Sequence, residues 1–394
     1  MPAYLIAGLL LLGHGVLCVA VFNRLHATGT DYRLIKLLEI PLGAWLLAVP
    51  PVWWWSGGGE VLRRGGLGTL SSASWPVPVL LGYGAICVAA TLLALGDWLD
   101  RRLRRPPRAL VEQSATRVNV AQQLGRSLAG NRLGRWCAAL PGNQLFHLET
   151  TRKVLAVRGL PPALAGLTIA HLSDLHLTGR IAREYFEYQI DRANDLQAEL
   201  IVVTGDILDR WECRDWLPAT LGRLRAPAGV YFLLGNHDLR PGPPAELRRQ
   251  LESLGLHDVG NRMRRVPVRD VELELVGIEV PWFGPAPEPG NAAPSPAGPA
   301  FRLLLSHAPD PIRWAARHGF PLMLAGHTHG GQIVFPVVGP VVAPSRYGVR
   351  YAGGVFEVDG VVLHVSRGLS SEEPLRWNCP PELALLTLTP RADG

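Results

Sequence analysis

Five short motifs in the second half of this 394-residue chain carry side chains that can bind metal ions. They read Asp174-Leu175-His176, Gly205-Asp206, Gly235-Asn236-His237-Asp238, Ser306-His307 and Gly326-His327-Thr328-His329. From them we predict the following metal ligands: Asp174, His176, Asp206, Asn236, His307, His327 and His329. Oxygen and imidazole ligands without a thiolate favour manganese, iron or zinc over an iron–sulfur cluster or a closed structural zinc site. The motifs therefore predict a site for two divalent metal ions, bridged by the carboxylate of Asp206.

A pair of metal ions is suited to the hydrolysis of phosphoesters. Two ions about 3.5–4 Å apart lower the pKa of a shared water, hold it as hydroxide and clamp the phosphoryl oxygens for in-line attack. His237 directly follows Asn236, so we expect it at the rim of the pocket, where an imidazolium can donate a proton to the leaving alkoxide. Asp209, in the turn after Asp206, is either a carboxylate beside the metals or a helix cap. We predict a dinuclear phosphohydrolase that cleaves a phosphodiester or pyrophosphate bond.

Each motif comes at the end of a short apolar run. The runs are 167–170, 200–203, 230–234, 303–305 and 322–325. Several contain β-branched residues, which is typical of strands buried on both faces. In an open α/β sheet, binding sites form beyond the carboxyl ends of the strands, so we expect the five loops to converge.

The intervening segments predict an α/β domain. Helical patterns occur at 184–197, 216–225 and 246–254, and further strands are predicted at 264–268, 271–278, 355–358 and 385–388. The proline-rich stretch from Pro281 to Pro299 cannot form a helix or a central strand. We expect it to be a surface loop beside the site, either part of a substrate lid or a tolerated insertion.

The order of the motifs resembles that of the calcineurin-like metallophosphoesterase superfamily, over residues 150 to 390. The resemblance implies a double-sheet sandwich flanked by helices, with the domain at 149–394. It also implies that Asp174, His176, Asp206 and His329 bind one ion, and that Asp206, Asn236, His307 and His327 bind the other. His237 would then be the proton donor or stabilise a phosphoryl oxygen, and Asp238 would orient it.

The carboxyl-terminal motifs Ser366-Arg367-Gly368-Leu369 and Asn378-Cys379-Pro380-Pro381-Glu382 resemble the membrane-anchored bacterial phosphodiesterase branch of this superfamily. The chain is similar there to calcineurin-like UDP-2,3-diacylglucosamine pyrophosphatases. It departs from that branch at Ser370-Ser371-Glu372-Glu373, where a glycine-rich turn is expected. The departure leaves the predicted catalysis intact but weakens the transfer of substrate identity.

Three apolar segments precede residue 100, at 3–22, 37–55 and 77–95. Their lengths are close to the roughly 20 residues that cross a bilayer as a helix. We therefore predict a membrane domain at 1–100 with three transmembrane helices, or two, because the middle segment carries Glu39 and three prolines. A cleaved signal peptide is the alternative for the first segment, but residues 1–4 contain no basic side chain.

The charges beside these segments predict the orientation. Arginines follow the third segment at positions 101, 102, 104, 105 and 108, whereas the loop 56–75 offers Arg63 and Arg64. The positive-inside rule then predicts a multi-pass protein of the cell inner membrane with a cytoplasmic catalytic domain. We interpret 101–148 as a basic juxtamembrane linker, with a short helix on the membrane, whose arginines can hold anionic lipid headgroups.

Other binding partners receive little support from the composition. The net charge of +6 is concentrated beside the apolar segments, without an aromatic-studded basic platform, so we expect no nucleic acid partner. Five cysteines are scattered and never occur in C-x-x-C spacing, which indicates free thiols in a reducing compartment.

The membrane segments favour an amphiphilic phosphoester as the substrate, such as a nucleotide-linked acyl sugar of lipid A synthesis. The resemblance allows cleavage of the pyrophosphate in a UDP-diacylglucosamine-like molecule, and equally general phosphodiester hydrolysis without lipid specificity. The alternative of another class is a catalytically silent membrane scaffold or sensor. The complete set of predicted ligands argues against it.

Overall fold

The structure is a computed structural model that describes residues 3–58, 77–288 and 300–391. The chain divides into two compact units, Met1–Arg105 and Pro106–Gly394. Arg63 and Arg64, which the orientation prediction compares with the later arginines, lie outside the described residues. So does most of the proline-rich stretch 281–299.

The amino-terminal unit contains three long apolar helices, as predicted. They are Ala3–His26, Tyr32–Trp53, which continues into a π-helical turn at Trp54–Gly58, and Val77–Leu103. Windows within them reach mean hydropathies of 2.5, 1.5 and 2.1, so each is long and apolar enough to cross a membrane. His14 joins the three helices, because its imidazole contacts the Tyr83 hydroxyl at 2.5 Å and the Leu46 carbonyl oxygen at 3.1 Å. Such polar contacts between helices stabilise membrane bundles.

The second unit contains two large mixed sheets and a small hairpin. The first sheet has seven strands in the order β1-β2-β15-β3-β4-β5-β6. The second has six strands in the order β13-β14-β10-β9-β8-β7, and β11 pairs with β12. The strands are β1 Leu110–Asn119, β2 His147–Val157, β3 Thr168–Leu172, β4 Leu200–Thr204, β5 Val230–Leu233, β6 His257–Asp258, β7 Met263–Val268, β8 Val271–Ile278, β9 Phe301–Ser306, β10 Leu322–Ala325, β11 Val334–Phe335, β12 Gly339–Pro340, β13 Gly354–Val358, β14 Val361–Val365 and β15 Glu382–Pro390.

The two large sheets pack face to face, and alternating residues of each central strand explain why. In β4, Leu200 and Val202 pack into the core between the sheets, where they meet Leu303 and Leu324 from the second sheet. The intervening residues Ile201 and Val203 pack on the opposite face, against the helical layer. Each fully buried aliphatic side chain contributes about 1.5–3 kcal/mol, so both faces must be covered. The predicted double-sheet α/β sandwich is confirmed.

Helices cover the outer faces of both sheets. They are Arg132–Ala138, Arg183–Asp195, Pro244–Ser253 and Ile312–Arg317, together with a single turn at Val120–Gln123. The helix predicted at 216–225 is instead two 3₁₀ segments, Trp211–Trp216 and Leu221–Arg223. Pro218 cannot donate a helical hydrogen bond and Gly222 disfavours an α-helix, so the apolar pattern there does not produce one.

The region interpreted as a linker, 101–148, is mostly part of the folded second unit. Strand β1 forms the edge of the seven-stranded sheet and pairs antiparallel with β2, from Leu110 opposite Leu155 to Asn119 opposite His147. Most side chains of β1 are exposed, so the segment carries too few apolar residues to show a strand pattern. The structure therefore corrects the predicted boundary, since the fold begins near Pro106.

Candidate metal centre

The predicted metal ligands lie just beyond the carboxyl ends of five strands. Asp174 follows β3, Asp206 follows β4, Asn236 follows β5, His307 follows β9 and His327 follows β10. Strands β3, β4 and β5 run parallel to one another, and β9 and β10 are also parallel. The five loops therefore converge at one edge of the sandwich, as expected for parallel strands.

The backbone of these loops is unusual. The left-handed region is occupied by Asp174, His176, Asp206, His327 and His329, with φ between 49° and 71°. This conformation is uncommon for residues other than glycine, and it clusters at functional sites. Two glycines allow the loops to meet, because a Cβ on Gly235 would lie 2.2 Å from Asp206 Oδ1, and one on Gly205 would lie 2.7 Å from His307 Nδ1.

The first ligand group contains Asp174, His176, Asp206 and His329, and one ligand atom from each lies within 4.8 Å of the others. The Nε2 atoms of His176 and His329 are 3.1 Å apart. His329 Nε2 lies 3.5 Å from Asp174 Oδ1, and His176 Nε2 lies 3.6 Å from Asp206 Oδ2. This is the composition that the resemblance implied for the first ion.

The second ligand group contains Asp206, His307 and His327. His307 Nε2 lies 3.3 Å from Asp206 Oδ2 and 3.1 Å from His327 Nδ1. Asn236 completes this group, because its Oδ1 is also 3.1 Å from His307 Nε2. Asp206 therefore belongs to both groups, which is the position expected of a bridging carboxylate.

Hydrogen bonds behind the histidines set their orientation. His176 Nδ1 donates to Asp209 Oδ2 at 2.8 Å, and His307 Nδ1 donates to the Thr204 carbonyl oxygen at 2.8 Å. His329 Nδ1 lies 3.2 Å from the Ser370 carbonyl oxygen and 3.0 Å from Arg376 Nη2. In His176 and His307 the lone pair of Nε2 then faces the ligand group, which is the usual arrangement of metal-binding histidines.

The charges of the pocket also fit divalent cations. Burial lowers the pKa of His176, but Asp209, Asp206 and Asp174 outweigh it and raise that pKa to about 9. Burial also lowers the pKa of His307, but Asp206 and Asp174 outweigh it and raise that pKa to about 9. The carboxylates therefore create a strongly negative buried field, which favours cations bound by neutral histidines.

His237 lies at the rim, beside the first ligand group, and its side chain is 11% exposed. Its Nε2 is 4.0 Å from Asp206 Oδ2. Its Nδ1 makes a short hydrogen bond to Asp209 Oδ1. Asp209 thus holds both His176 and His237, and it is a carboxylate beside the metal ligands, not a helix cap.

Asp238 has a different role from the predicted one. Its Oδ1 accepts from the backbone N–H groups of Ile207 and Leu208, and its Oδ2 accepts from Gly235 N–H. It therefore ties the loop that carries Asp206 to the loop that carries Asn236, and it does not orient His237. The expectation failed because adjacency in sequence does not determine the direction of a side chain.

Two rim residues escaped the sequence analysis. Arg240 Nη1 lies 3.0 Å from His237 Nδ1 and 3.1 Å from Glu372 Oε2. Glu372 belongs to the segment Ser370–Glu373, where the sequence departs from the expected glycine-rich turn. Burial raises the pKa of Glu372, but His237 and Arg240 outweigh it and lower that pKa overall. Where a glycine-rich turn was expected, Glu372 therefore forms an ion pair with Arg240 beside His237, the predicted proton donor.

A buried polar network lies beneath the second ligand group. His171 contacts Thr204 Oγ1 at 2.8 Å and His364 at 2.9 Å. Lys153 Nζ contacts His364 Nε2 at 2.9 Å and Glu382 at 2.6 Å. No chemistry was predicted for His171 or His364 from the sequence. The network fixes Thr204, whose carbonyl orients His307, so these histidines support the site from inside the sandwich.

Arg376 is a further supporting residue and is fully buried. It donates to the carbonyl oxygens of His329 at 3.0 Å and Arg367 at 2.7 Å. No sequence motif marked it. A buried guanidinium that bonds the backbone of a predicted ligand keeps that ligand in place.

Comparisons with known proteins agree with this geometry. The family model described as calcineurin-like phosphoesterase matches residues 167–331. The chain is 29% identical over 246 residues to the uncharacterized metallophosphoesterase YkuE of Bacillus subtilis (strain 168), covering 61% of this chain and 85% of that protein. It is 30% identical over 229 residues to the phosphodiesterase YaeI of Escherichia coli (strain K12), covering 57% of this chain and 83% of that protein.

A third relative combines the same domain with a membrane protein. It is the transmembrane protein with metallophosphoesterase domain of Danio rerio, which is 30% identical over 197 residues. The match covers 46% of this chain and 44% of that protein.

Proposed function

The chain belongs to the calcineurin-like metallophosphoesterase family and is a hydrolase of phosphoesters. From this premise we propose that it cleaves a phosphodiester or pyrophosphate bond of its substrate, and that its candidate metal centre would hold two divalent ions. The ions would be manganese, iron or zinc, which suit the oxygen and imidazole ligands. The observation that carries the proposal is the position of Asp206, whose carboxylate belongs to both buried ligand groups.

The first ion would be held by Asp174, His176, Asp206 and His329, and the second by Asp206, Asn236, His307 and His327. When bound, the two ions supply Lewis-acid charge and lower the pKa of a shared water. The protein's own contribution is then to position the substrate and to supply a proton.

His237 would supply that proton. It lies at the rim, and Asp209 accepts from its Nδ1, so the ring keeps its Nε2 turned toward the metal ligands. A protonated ring held in this way can donate to the oxygen of the leaving group as the P–O bond breaks. Asp209 holds the ring in the orientation from which Nε2 can donate.

The three apolar helices support a multi-pass protein of the cell inner membrane, and the arginines from Arg101 to Arg108 support a cytoplasmic catalytic unit by the positive-inside rule. A fluorescent protein fused to the carboxyl terminus, which matures in the cytoplasm but not in the periplasm, would test the orientation. A dark fusion that remains full length would contradict it.

A membrane protein with this site is suited to an amphiphilic phosphoester, linked to a lipid or a nucleotide. A UDP-diacylglucosamine-like glycolipid of lipid A synthesis is the specific version. A general phosphodiesterase is the alternative, because the Escherichia coli relative is named as a phosphodiesterase. A catalytically silent scaffold or sensor is the alternative of another class.

The decisive experiment compares hydrolysis by the full chain with that by His237→Ala and Asp206→Ala, in the presence of manganese. Substrates should include the UDP-linked glycolipid and bis(p-nitrophenyl) phosphate. We expect release of UMP from the glycolipid, lost in Asp206→Ala and lowered about 10²–10⁴-fold in His237→Ala. His257→Ala, an exposed histidine of β6, is the matched control.

The outcomes separate the alternatives. Cleavage of the simple diester without UMP release would favour the general phosphodiesterase. If neither substrate nor a wider screen of phosphoesters is cleaved by metal-loaded protein, the scaffold alternative gains.

A further inference from the structure

An apolar hairpin follows the predicted ligand His329 in the catalytic unit. It contains β11, β12 and the turn between them, and residues 333–344 include no charged side chain. Its exposed apolar residues are Phe335 at 43%, Val337 at 69%, Val338 at 51% and Val342 at 39%. Trp377 extends this surface, since its ring is 41% exposed and its centroid lies 5.9 Å from that of Phe335. We call these five residues the hairpin patch.

The conformation of the hairpin tip is costly. Val337 has a φ of 68°, in the left-handed region. A β-branched residue is rarely found there, and glycine or asparagine would satisfy the turn with less strain. Burial does not explain the valine either, because it is the most exposed residue of the patch. A strained and exposed apolar tip indicates a surface that binds something apolar.

The hairpin patch is attached directly to the candidate metal centre. Gly331, two residues after the predicted ligand His329, packs against Pro340, where a Cβ would lie 2.4 Å from the proline ring. On the other side, Trp377 follows the buried Arg376, and its carbonyl oxygen accepts from Val334 N–H at 2.9 Å. Whatever covers the patch therefore lies on segments that adjoin His329 and Arg376.

Basic and aromatic side chains lie on the helix that precedes the loop in contact with Trp377. A Cβ on Gly142 would approach the Trp377 indole Nε1 to 3.0 Å. The helix before this loop, Arg132–Ala138, exposes Arg132, Arg135 and Trp136, the last at 64%. Exposed apolar side chains on the hairpin, together with exposed arginines and a tryptophan on this helix, have the composition of segments that lie in the interface of an anionic bilayer.

We propose that the hairpin patch inserts into the interfacial region of an anionic lipid bilayer and brings the metal centre to the membrane surface. The three apolar helices of the same chain keep the catalytic unit within reach of a bilayer, which favours this occupant over a soluble protein. The part of the inference that concerns the substrate rests on the proposed function. Insertion of the hairpin patch would favour phosphoesters whose phosphorus lies at headgroup depth in a membrane.

The first test measures insertion without turnover. The full chain is reconstituted into vesicles of phosphatidylcholine and phosphatidylglycerol, with an environment-sensitive fluorophore on Val337→Cys. The native cysteines are all buried, so labelling favours the introduced thiol. Met263→Cys on β7, with 40% exposure in the second sheet, is the matched control. We expect nitroxide-labelled lipids to quench the fluorophore at 337 several-fold more than at 263.

Equal quenching at the two positions would overturn the proposal. So would a fluorophore at 337 that is shielded from aqueous iodide but not quenched by lipid nitroxides, since a protein surface would then cover the patch. Charge reversal of Arg132 and Arg135 should weaken the quenching at 337 in anionic vesicles more than in neutral ones.

The second test uses activity. In Val337→Asp/Val338→Asp, we expect the ratio of the rate on a bilayer-embedded phosphoester to the rate on bis(p-nitrophenyl) phosphate to fall about tenfold, because apolar side chains no longer enter the lipid. A Met263→Asp control should keep the wild-type ratio. Suppose that the labelled Val337→Cys protein is quenched by lipid but Val337→Asp/Val338→Asp keeps the wild-type ratio of the two rates. That result would overturn the inferred substrate class. Absence of any hydrolysis, with 337 still quenched, would overturn the proposed function and leave the insertion standing.

Discussion

At the scale of single residues, two carboxylates behind the metal ligands have separate tasks: Asp209 holds the rings of His176 and His237, and Asp238 ties two ligand loops together. Asp174, His176 and His329 come together as expected, because each follows a recognisable buried strand. The carboxylate behind His237 was predicted as Asp238 and is Asp209. Arg376 and Glu372 carried no motif at all. Side-chain direction depends on loop conformation and on partners distant in sequence, and spacing alone does not encode either.

The two carboxylates should separate catalysis from stability. Asp209→Asn removes the carboxylate that orients the His237 ring for proton transfer, so we expect kcat to fall about 10²-fold or more. Asp238→Ala leaves three backbone N–H groups without their acceptor, and each unpaired buried donor costs about 1–3 kcal/mol. It should therefore lower the free energy of unfolding by several kcal/mol.

Steady-state kinetics and urea unfolding of both variants would check this. The assignment would be reversed if Asp238→Ala lost activity without losing stability while Asp209→Asn kept its kcat.

At the scale of elements, the central strands were predictable and the edges were not. Strands such as β4 are buried on both faces, so their apolar runs are visible in the sequence. Strand β1 is exposed and polar, and it was taken for a linker. The segment with 3₁₀ turns at Trp211–Trp216 and Leu221–Arg223 was taken for a helix, because the apolar spacing was given more weight than Pro218 and Gly222, which interrupt it.

The loop after β5 is expected to be intolerant of a single methyl group. In Gly235→Ala the new Cβ would lie 2.2 Å from Asp206 Oδ1, so the shared carboxylate must move. We expect the dissociation constant for manganese to rise about 10–100-fold, as for other changes that displace a metal ligand. Calorimetric titration of metal-stripped protein would measure it.

Gly222→Ala is the matched control, since its nearest contacts are flexible Leu254 methyl groups and the Leu217 carbonyl oxygen at 3.2–3.4 Å. Equal metal affinity in the two variants would contradict the packing argument.

At the scale of the whole molecule, the fold class and the presence of apolar helices before a metallophosphoesterase domain were predictable from hydropathy and from the order of the motifs. The sheet order was not, because it depends on contacts between segments far apart in the chain. Strand β15 pairs with β2 on one side and β3 on the other, and nothing local to residues 382–390 indicates these neighbours.

Metal removal should change how the stability of the folded protein depends on pH. The pKa values of His176 and His307, about 9, lie above the ordinary value of 6.5. Protonated, these rings stabilise the metal-stripped protein fully below pH 6.5, and this contribution is lost as the pH rises through 9. With manganese bound the rings are neutral ligands, and protons compete with the metal as the pH falls.

The Tm of chelator-treated protein should therefore fall between pH 6.5 and 9, while that of manganese-loaded protein should not. Thermal scans of both forms across this range would measure the difference. Parallel curves would show that these histidines do not titrate as the geometry requires.

The position of β15 between β2 and β3 has a consequence for biosynthesis. When β3, β4 and β5 leave the ribosome, the edge of β3 that β15 will occupy stays unpaired until residues 382–390 have been translated. Glu382, the buried partner of Lys153 and Arg367, arrives with that strand. The seven-stranded sheet therefore stays open during synthesis, and a stop codon just before residue 382 would leave Lys153 without its carboxylate.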